Sequence, residues 1–195
     1  MFSFDNETLL RKALQLFLLY GYRKTSMANL AIVMAVSRQK LYSKFYSKKR
    51  LFEVLIEAIS QQALERGQLE LVPNRPVWQA VASALDKWLG ASIDELGVSP
   101  YGVEIYEAWR TQHTADWPEA GYAEQMCTAL SEFLKRAEAL GHVELRHVGS
   151  SPFSLAKSVV DCAEGIRATS DSAEEFKKKI ETLLVVFARA TAISA

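Results

Sequence analysis

Three observations predict an all-α fold. Apolar residues recur at three- and four-residue spacing along nearly the whole chain, and Val, Ile and Thr nowhere alternate with polar residues over a strand-length run. Capping residues stand just ahead of these periodic stretches: Asp5 or Asn6, Thr25 or Ser26, Ser37, Ser47 and Ser172. Helix breakers fall at their ends: Gly21, Gly141 and the segment "VPNRP", Val72 to Pro76.

The elements follow in order. The first helix starts at Asp5 or Asn6, with Phe4 placed to staple onto Leu9. It turns Leu10, Ala13, Leu14 and Phe17 inward before Gly21 ends it. A short second helix follows "RKTS", with Leu30 and Met34 inward, and stops at a tight break, Ala35-Val36. Ser37 caps a third short helix held by Leu41 and Phe45 at i, i+4. Ser47 caps a fourth, reaching about Leu69, with Leu51, Phe52, Leu55, Ile56 and Ile59 as its apolar positions. After Val72–Pro76, five more helices are predicted. They run from about Val77 to Leu89, Pro100 to Thr111, Pro118 to Leu140, Pro152 to Ala168 and Ser172 to Ala192, with Glu175 completing a capping box at the start of the last. There is no internal repeat and no low-complexity segment.

Composition narrows the function classes. Of 195 residues, 49% are hydrophobic and 24% charged, as in an ordinary soluble globular protein. Apolar runs such as Leu183 to Ala188 are far too short to span a bilayer, and "MFSFDNE" has no signal-peptide pattern, so no membrane partner and a cytoplasmic location are expected. Cys127 and Cys162 make no disulfide framework and are expected to be buried. No Gly-rich phosphate loop, nucleophile elbow or Cys-x-x-Cys is present, which argues against an enzyme. His142 and His147 flank Glu144 without a metal-ligand spacing, so neither a metal nor a cofactor is expected.

The zero net charge hides a split. Residues 1–50 hold ten Lys and Arg against Asp5 and Glu7, a balance of +8, and the rest of the chain carries −8. No acidic residue lies between Glu7 and Glu53. This asymmetry points to a basic module that meets a polyanion, joined to a module with another task. The basic residues also sit where a helix disfavours them. A helix N-terminus carries partial positive charge, yet the third helix opens with Arg38, Gln39 and Lys40 and the fourth with Lys48, Lys49 and Arg50, while Arg23 and Lys24 precede the second. Three such starts suggest that an external anion offsets the repulsion, as phosphate does at helix N-termini.

Two short helices joined by a tight turn, the second polar on its outer face, form a helix-turn-helix, whose second helix enters the major groove. Arg38 and Gln39 suit guanine and adenine edges. Thr25, Ser26, Ser37, Tyr42 and Lys48 suit phosphates, and Lys40, Ser43, Lys44 and Tyr46 complete the candidate DNA-contacting set. Tyr46 serves either there or in packing against the fourth helix.

The stretch "LLRKALQLFLLYGYRKTSMANLAIVMAVSRQKLYSKFYSKKRLFEVLIEAI" resembles the N-terminal domain of TetR-family transcriptional regulators. The elements that carry the resemblance are the Ala-x3-Phe helix running into Gly21-Tyr22, the Thr25-Ser26 start, Leu30-Ala31, Val36-Ser37, Leu41-Tyr42, Phe45, and Ser47-Lys48 with Leu51 after it. Two positions depart from the family pattern. Ala35 stands where glycine is usual, and Arg38-Gln39-Lys40 replaces small residues after the cap.

The resemblance implies a DNA-binding domain over residues 1–50 and a helical effector-binding and dimerisation domain over 51–195. It implies a homodimer through the last two helices, a near-palindromic double-stranded operator and repression relieved by a small-molecule effector. The last two helices offer Leu155, Val159, Cys162, Ala163 and Ile166, and Phe176, Ile180, Leu183, Leu184 and Phe187, stripes equally suited to the core of one chain. For an effector pocket the aromatic-rich middle is the candidate: Trp88, Tyr101, Tyr106, Trp109, Trp117, Tyr122, Met126 and Phe133, with Glu104, Arg110 and His113 as polar handles. The alternative left open is a helical enzyme or binding module that grips a phosphorylated small molecule with the same basic helix starts.

Overall fold

A computed structural model of the chain describes residues 7–97, 99–112 and 121–193. The described residues are helical, without a strand. The helices are α1 (Glu7–Lys24), α2 (Met27–Val33), α3 (Arg38–Phe45), α4 (Lys48–Glu70), α5 (Val77–Leu85), α6 (Ile93–Gly97), α7 (Gly102–Gln112), α8 (Tyr122–Ala139), α9 (Pro152–Ala168) and α10 (Ala173–Ala190). A π-helical turn, Asp86–Gly90, continues α5, and a 3-10 turn, Leu145–Val148, precedes α9. The expected start of α1 at Asp5 or Asn6, the Phe4 staple and the expected helix start at Pro118 lie outside the described residues.

The chain packs as two compact units. The first comprises Met1–Gln61 with Glu95–Trp117, and the second Gln62–Asp94 with Pro118–Ala195. The first unit extends well into α4 and takes in α7, a helix that the resemblance places in the domain over 51–195.

The core of the first unit is built from one face of each helix. Ala13, Leu14, Phe17 and Leu18 of α1 meet Leu30 and Ala31 of α2, Leu41 and Phe45 of α3, and Leu51, Phe52 and Leu55 of α4. Ile105 of α7 is buried in the same core, with Leu96 packed against it. Phe17, Tyr22 and Phe52 form an aromatic cluster, with ring centroids 5.0 Å apart for Phe17–Phe52 and for Tyr22–Phe52.

In the second unit α8 packs on α9, and α10 on α5 and the π-helical turn. The periodicity predicts one helix from 77 to 89, but the α-helical ladder stops at Leu85. Side chains from other helices take the carbonyls of the turn that follows. Tyr122 donates its hydroxyl to the Trp88 carbonyl at 3.0 Å, and buried Arg167 donates to the Leu89 carbonyl at 3.2 Å. Trp88 in turn donates to the Leu64 carbonyl of α4 at 3.1 Å. Its ring lies so close to Gly67 that a Cβ there would fall 2.0 Å from the indole nitrogen, so α4 needs glycine at that point.

Serine caps operate as the sequence indicates. The hydroxyls of Ser37, Ser47 and Ser172 accept from the backbone amides of Lys40, Arg50 and Glu175, each at 3.1 Å. The Glu175 carboxylate accepts from the Asp171 amide, one residue ahead of the cap. At α2 the cap is Ser26, which forms a capping box with Asn29.

A candidate nucleic-acid interface

The geometry begins at the end of α1. Gly21 leaves the helix with φ 78° and ψ 159°, a conformation that glycine adopts without strain. Its carbonyl accepts both the amide of Thr25, at 3.2 Å, and the Thr25 hydroxyl, at 2.8 Å. Thr25 is only 2% exposed, so the structure places it inside this junction. Ser26 is exposed and starts α2.

The chain then turns through Ala35, at φ 52°. Glycine is absent from the turn, yet the left-handed backbone is present. Ser37 caps α3 from an extended conformation. Within α3 only Leu41 and Phe45 are buried, so Arg38, Gln39, Lys40, Tyr42, Ser43 and Lys44 all face solvent. The Ser43 hydroxyl donates to the Lys40 carbonyl, and the Lys44 ammonium lies 5.8 Å from the Phe45 ring centre. The helix ends at Tyr46, which has φ 57° and is 81% exposed. Of the two roles open to Tyr46, packing against α4 is therefore not the one adopted.

The three basic helix starts differ in how their charge is met. Arg23 and Lys24 belong to the last turn of α1, where positive charge is favoured. Lys48 reaches away from its own helix start. Its ammonium donates to the carbonyls of Tyr22 at 2.7 Å and Arg23 at 3.2 Å, and lies 4.5 Å from the centre of the Tyr22 ring. Lys49 and Arg50 pair with Glu53 at 3.7 Å and 3.3 Å. Two of the three apparent mismatches are thus compensated within the chain. At α3 the mismatch remains, because its first turn has no acidic residue and Arg38 has no ion pair among the described residues.

The eight expected pocket residues separate. Trp88, Tyr122, Met126 and Phe133 lie in the second unit and are all buried. Tyr101 and Tyr106 lie in the first unit and are half-buried. Trp117 and His113 lie outside the described residues, and the side chains of Trp109 and Arg110 are likewise not among those described. A groove of about 1290 Å³ opens elsewhere in the second unit, between α5, α10 and the turn at Gly141–Val143. Trp78, Phe176, Ile180 and Leu184 line its apolar side, and none of the described residues of the expected set lines it. Among the described residues no cluster of His, Cys, Asp and Glu could hold a metal. Cys127 is buried, and burial raises its thiol pKa above the ordinary value. Cys162, expected inside, is exposed on α9, because it shares a face with Ser154 and Ser158 rather than with Val159 and Ala163.

Sequence reasoning missed three features here. These are the use of Lys48 on α1, the part Asn29 plays in the α2 cap, and the attachment of α7 to the first unit. Only Asn29 had a local signal, its position three residues after Ser26.

Residues 9–55 match the family model for bacterial regulatory proteins, tetR family. No curated protein matches the chain. Solved structures share the fold over nearly its whole length. One is a TetR-family transcriptional regulator from Pectobacterium atrosepticum, with 20% identity, a TM-score of 0.67, and 96% of this chain and 94% of that one covered. Another is SmeT, the repressor of the Stenotrophomonas maltophilia multidrug efflux pump SmeDEF, with 14% identity, a TM-score of 0.64 and coverages of 97% and 91%. SmeT in complex with triclosan aligns with 15% identity, a TM-score of 0.61 and coverages of 99% and 94%.

Proposed function

We propose, starting from an N-terminal domain of the tetR family of bacterial regulatory proteins, that the chain is a sequence-specific transcriptional repressor released from its operator by a small molecule. One observation carries the DNA-binding part. Helix α3 is held by Leu41 and Phe45 alone and turns a capped, basic, otherwise exposed surface outward. Arg38 and Gln39 occupy its first turn, the part of a recognition helix that meets base edges. Lys40, Tyr42, Ser43, Lys44 and Tyr46 continue that surface toward phosphates. Ser26 and Ser37 add hydroxyls at two helix starts, while Thr25 and Lys48 hold the junction that supports them.

The working unit is a homodimer through α9 and α10, which reads a near-palindromic site with two copies of α3. Exposed apolar side chains on these helices support this arrangement: Val185, Val186 and Phe153. The effector is assigned to the second unit, at the aromatic set Trp88, Tyr122, Met126 and Phe133. That set is closed in this structure, so a ligand would act by selecting a different packing. The likeness to a repressor solved with triclosan supports a small-molecule effector.

Salt dependence tests the core of this reading. Affinity for duplex DNA falls steeply with salt as counterions are released, with a log–log slope that tracks several phosphate contacts. A flat slope, or no duplex affinity at low salt, would sink it.

A further inference from the structure

We propose that Tyr101 is a positioning residue for the reading helix: its ring, at the leading turn of α7, fixes the C-terminal end of α1 and, through it, the placement of α2 and α3. This rests on the DNA-binding reading above and adds a control point to it.

The ring occupies space that a side chain on α1 would need. A Cβ built on Gly21 would lie 2.8 Å from Cδ1 of Tyr101 and 3.0 Å from Cε1. The Tyr101 hydroxyl lies 3.5 Å from the Lys24 ammonium, which also sits 6.0 Å from the ring centre. The turn that carries the ring is itself bonded to α1. Ser99 donates its hydroxyl to the Leu18 carbonyl and accepts the Tyr101 amide at 3.0 Å. Behind the ring the chain has no slack. A Cβ on Gly102 would collide with the Leu96 carbonyl, so the end of α6 and the start of α7 are pressed together. Ile105, one turn further on, is buried in the core shared with Leu30 and Leu41.

The contact falls at the point where α1 hands over to the reading motif. The Gly21 carbonyl holds Thr25, and the carbonyls of Tyr22 and Arg23 hold Lys48. Ser26, adjacent to Thr25, caps α2, on which α3 packs. A shift of the Tyr101 ring therefore bears on Gly21, whose carbonyl holds Thr25. Sequence-specific contacts need the first turn of α3 placed accurately against base edges, whereas nonspecific attraction needs only its charge.

The test uses the full chain with two DNA probes, a duplex selected from a random pool by the wild-type protein and a random-sequence duplex of equal length. Backbone hydrogen exchange over residues 25–45 is measured in parallel. Tyr101→Ala is expected to weaken the selected duplex about tenfold and the random duplex less than twofold, and to speed exchange over 25–45 while leaving α8 and α9 unchanged. Tyr101→Phe keeps the ring and is expected to behave as wild type. Tyr101→Leu, which preserves an apolar plug if the alanine variant does not fold, is expected to lose about threefold on the selected duplex alone. Wild-type selectivity and exchange in the alanine or leucine variant would overturn the proposal. So would a phenylalanine variant as impaired as alanine, since the hydroxyl and not the ring would then be the agent. If the wild-type chain binds neither duplex, the DNA-binding reading fails, and the exchange measurement alone decides whether Tyr101 holds α2 and α3.

Discussion

Ala35 and Tyr46 bracket α3, the proposed reading helix, and both adopt positive φ without being glycine. A Cβ in this region costs about 1 kcal/mol relative to glycine. For Ala35 the strain has no visible return, because its side chain is exposed and small. Ala35→Gly should therefore raise stability by about 1 kcal/mol in urea unfolding, with an unchanged m-value. Tyr46 differs, because the strain there presents an aromatic ring to solvent at the edge of the proposed interface. Tyr46→Gly should gain a similar amount of stability, about 1 kcal/mol, yet lose affinity for selected and random duplexes alike. Stability and affinity moving in opposite directions in one variant would mark the ring as a backbone contact. Unchanged affinity would reduce Tyr46 to a strained turn residue. The position of the turn was legible in the sequence, since Val36-Ser37 and the flanking apolar spacing locate it, while the anomaly at Ala35 was visible only through the family resemblance. The positive φ at Tyr46 was not, because Tyr46-Ser47 carries no glycine or asparagine to announce a left-handed residue.

At the scale of elements, the caps explain why short helices persist. Helix α3 has eight residues and two buried side chains, too little for independent stability. Its first turn depends on the bond from the Lys40 amide to Ser37. Ser37→Ala should cost about 1 kcal/mol of global stability and weaken duplex binding, as read by calorimetric unfolding and titration with DNA. Ser37→Asp should restore most of the stability through the same cap, and a failure to do so would show that the cap does not hold α3. Caps are local, spanning three residues, and so were readable in advance at Ser37, Ser47 and Ser172. The π-helical turn at Asp86–Gly90 was not. It depends on Tyr122 and Arg167, which lie far along the chain and take carbonyls that a continuous α-helix would use. The role of Lys48 is of the same kind. A lysine at a helix start suggested an external phosphate, but the α1 carbonyls 25 and 26 residues away meet its ammonium first.

For the whole molecule, the proposed homodimer makes a definite demand on α10. Val186 is 64% exposed and Val185 50%, a large apolar exposure for a helix whose opposite face, Phe176, Ile180 and Leu184, already fills the core of its own unit. Val186→Glu should convert the protein from dimer to monomer in sedimentation equilibrium and abolish binding to a two-half-site duplex, while helical content by circular dichroism stays unchanged. A dimer that survives the substitution would place the interface elsewhere. The all-α class, the first four helices, the basic first module and a third helix with inward Leu41 and Phe45 followed from the sequence alone, whereas α6 did not. Each of the former is written in spacing, capping or charge within a few residues. Tertiary structure alone decided that α7 joins the first unit, that Tyr101 meets Gly21, that Lys48 is held by α1, and that the expected pocket residues divide between two units. Such pairings join residues tens of positions apart, and the packing that selects them has no local signature in the chain.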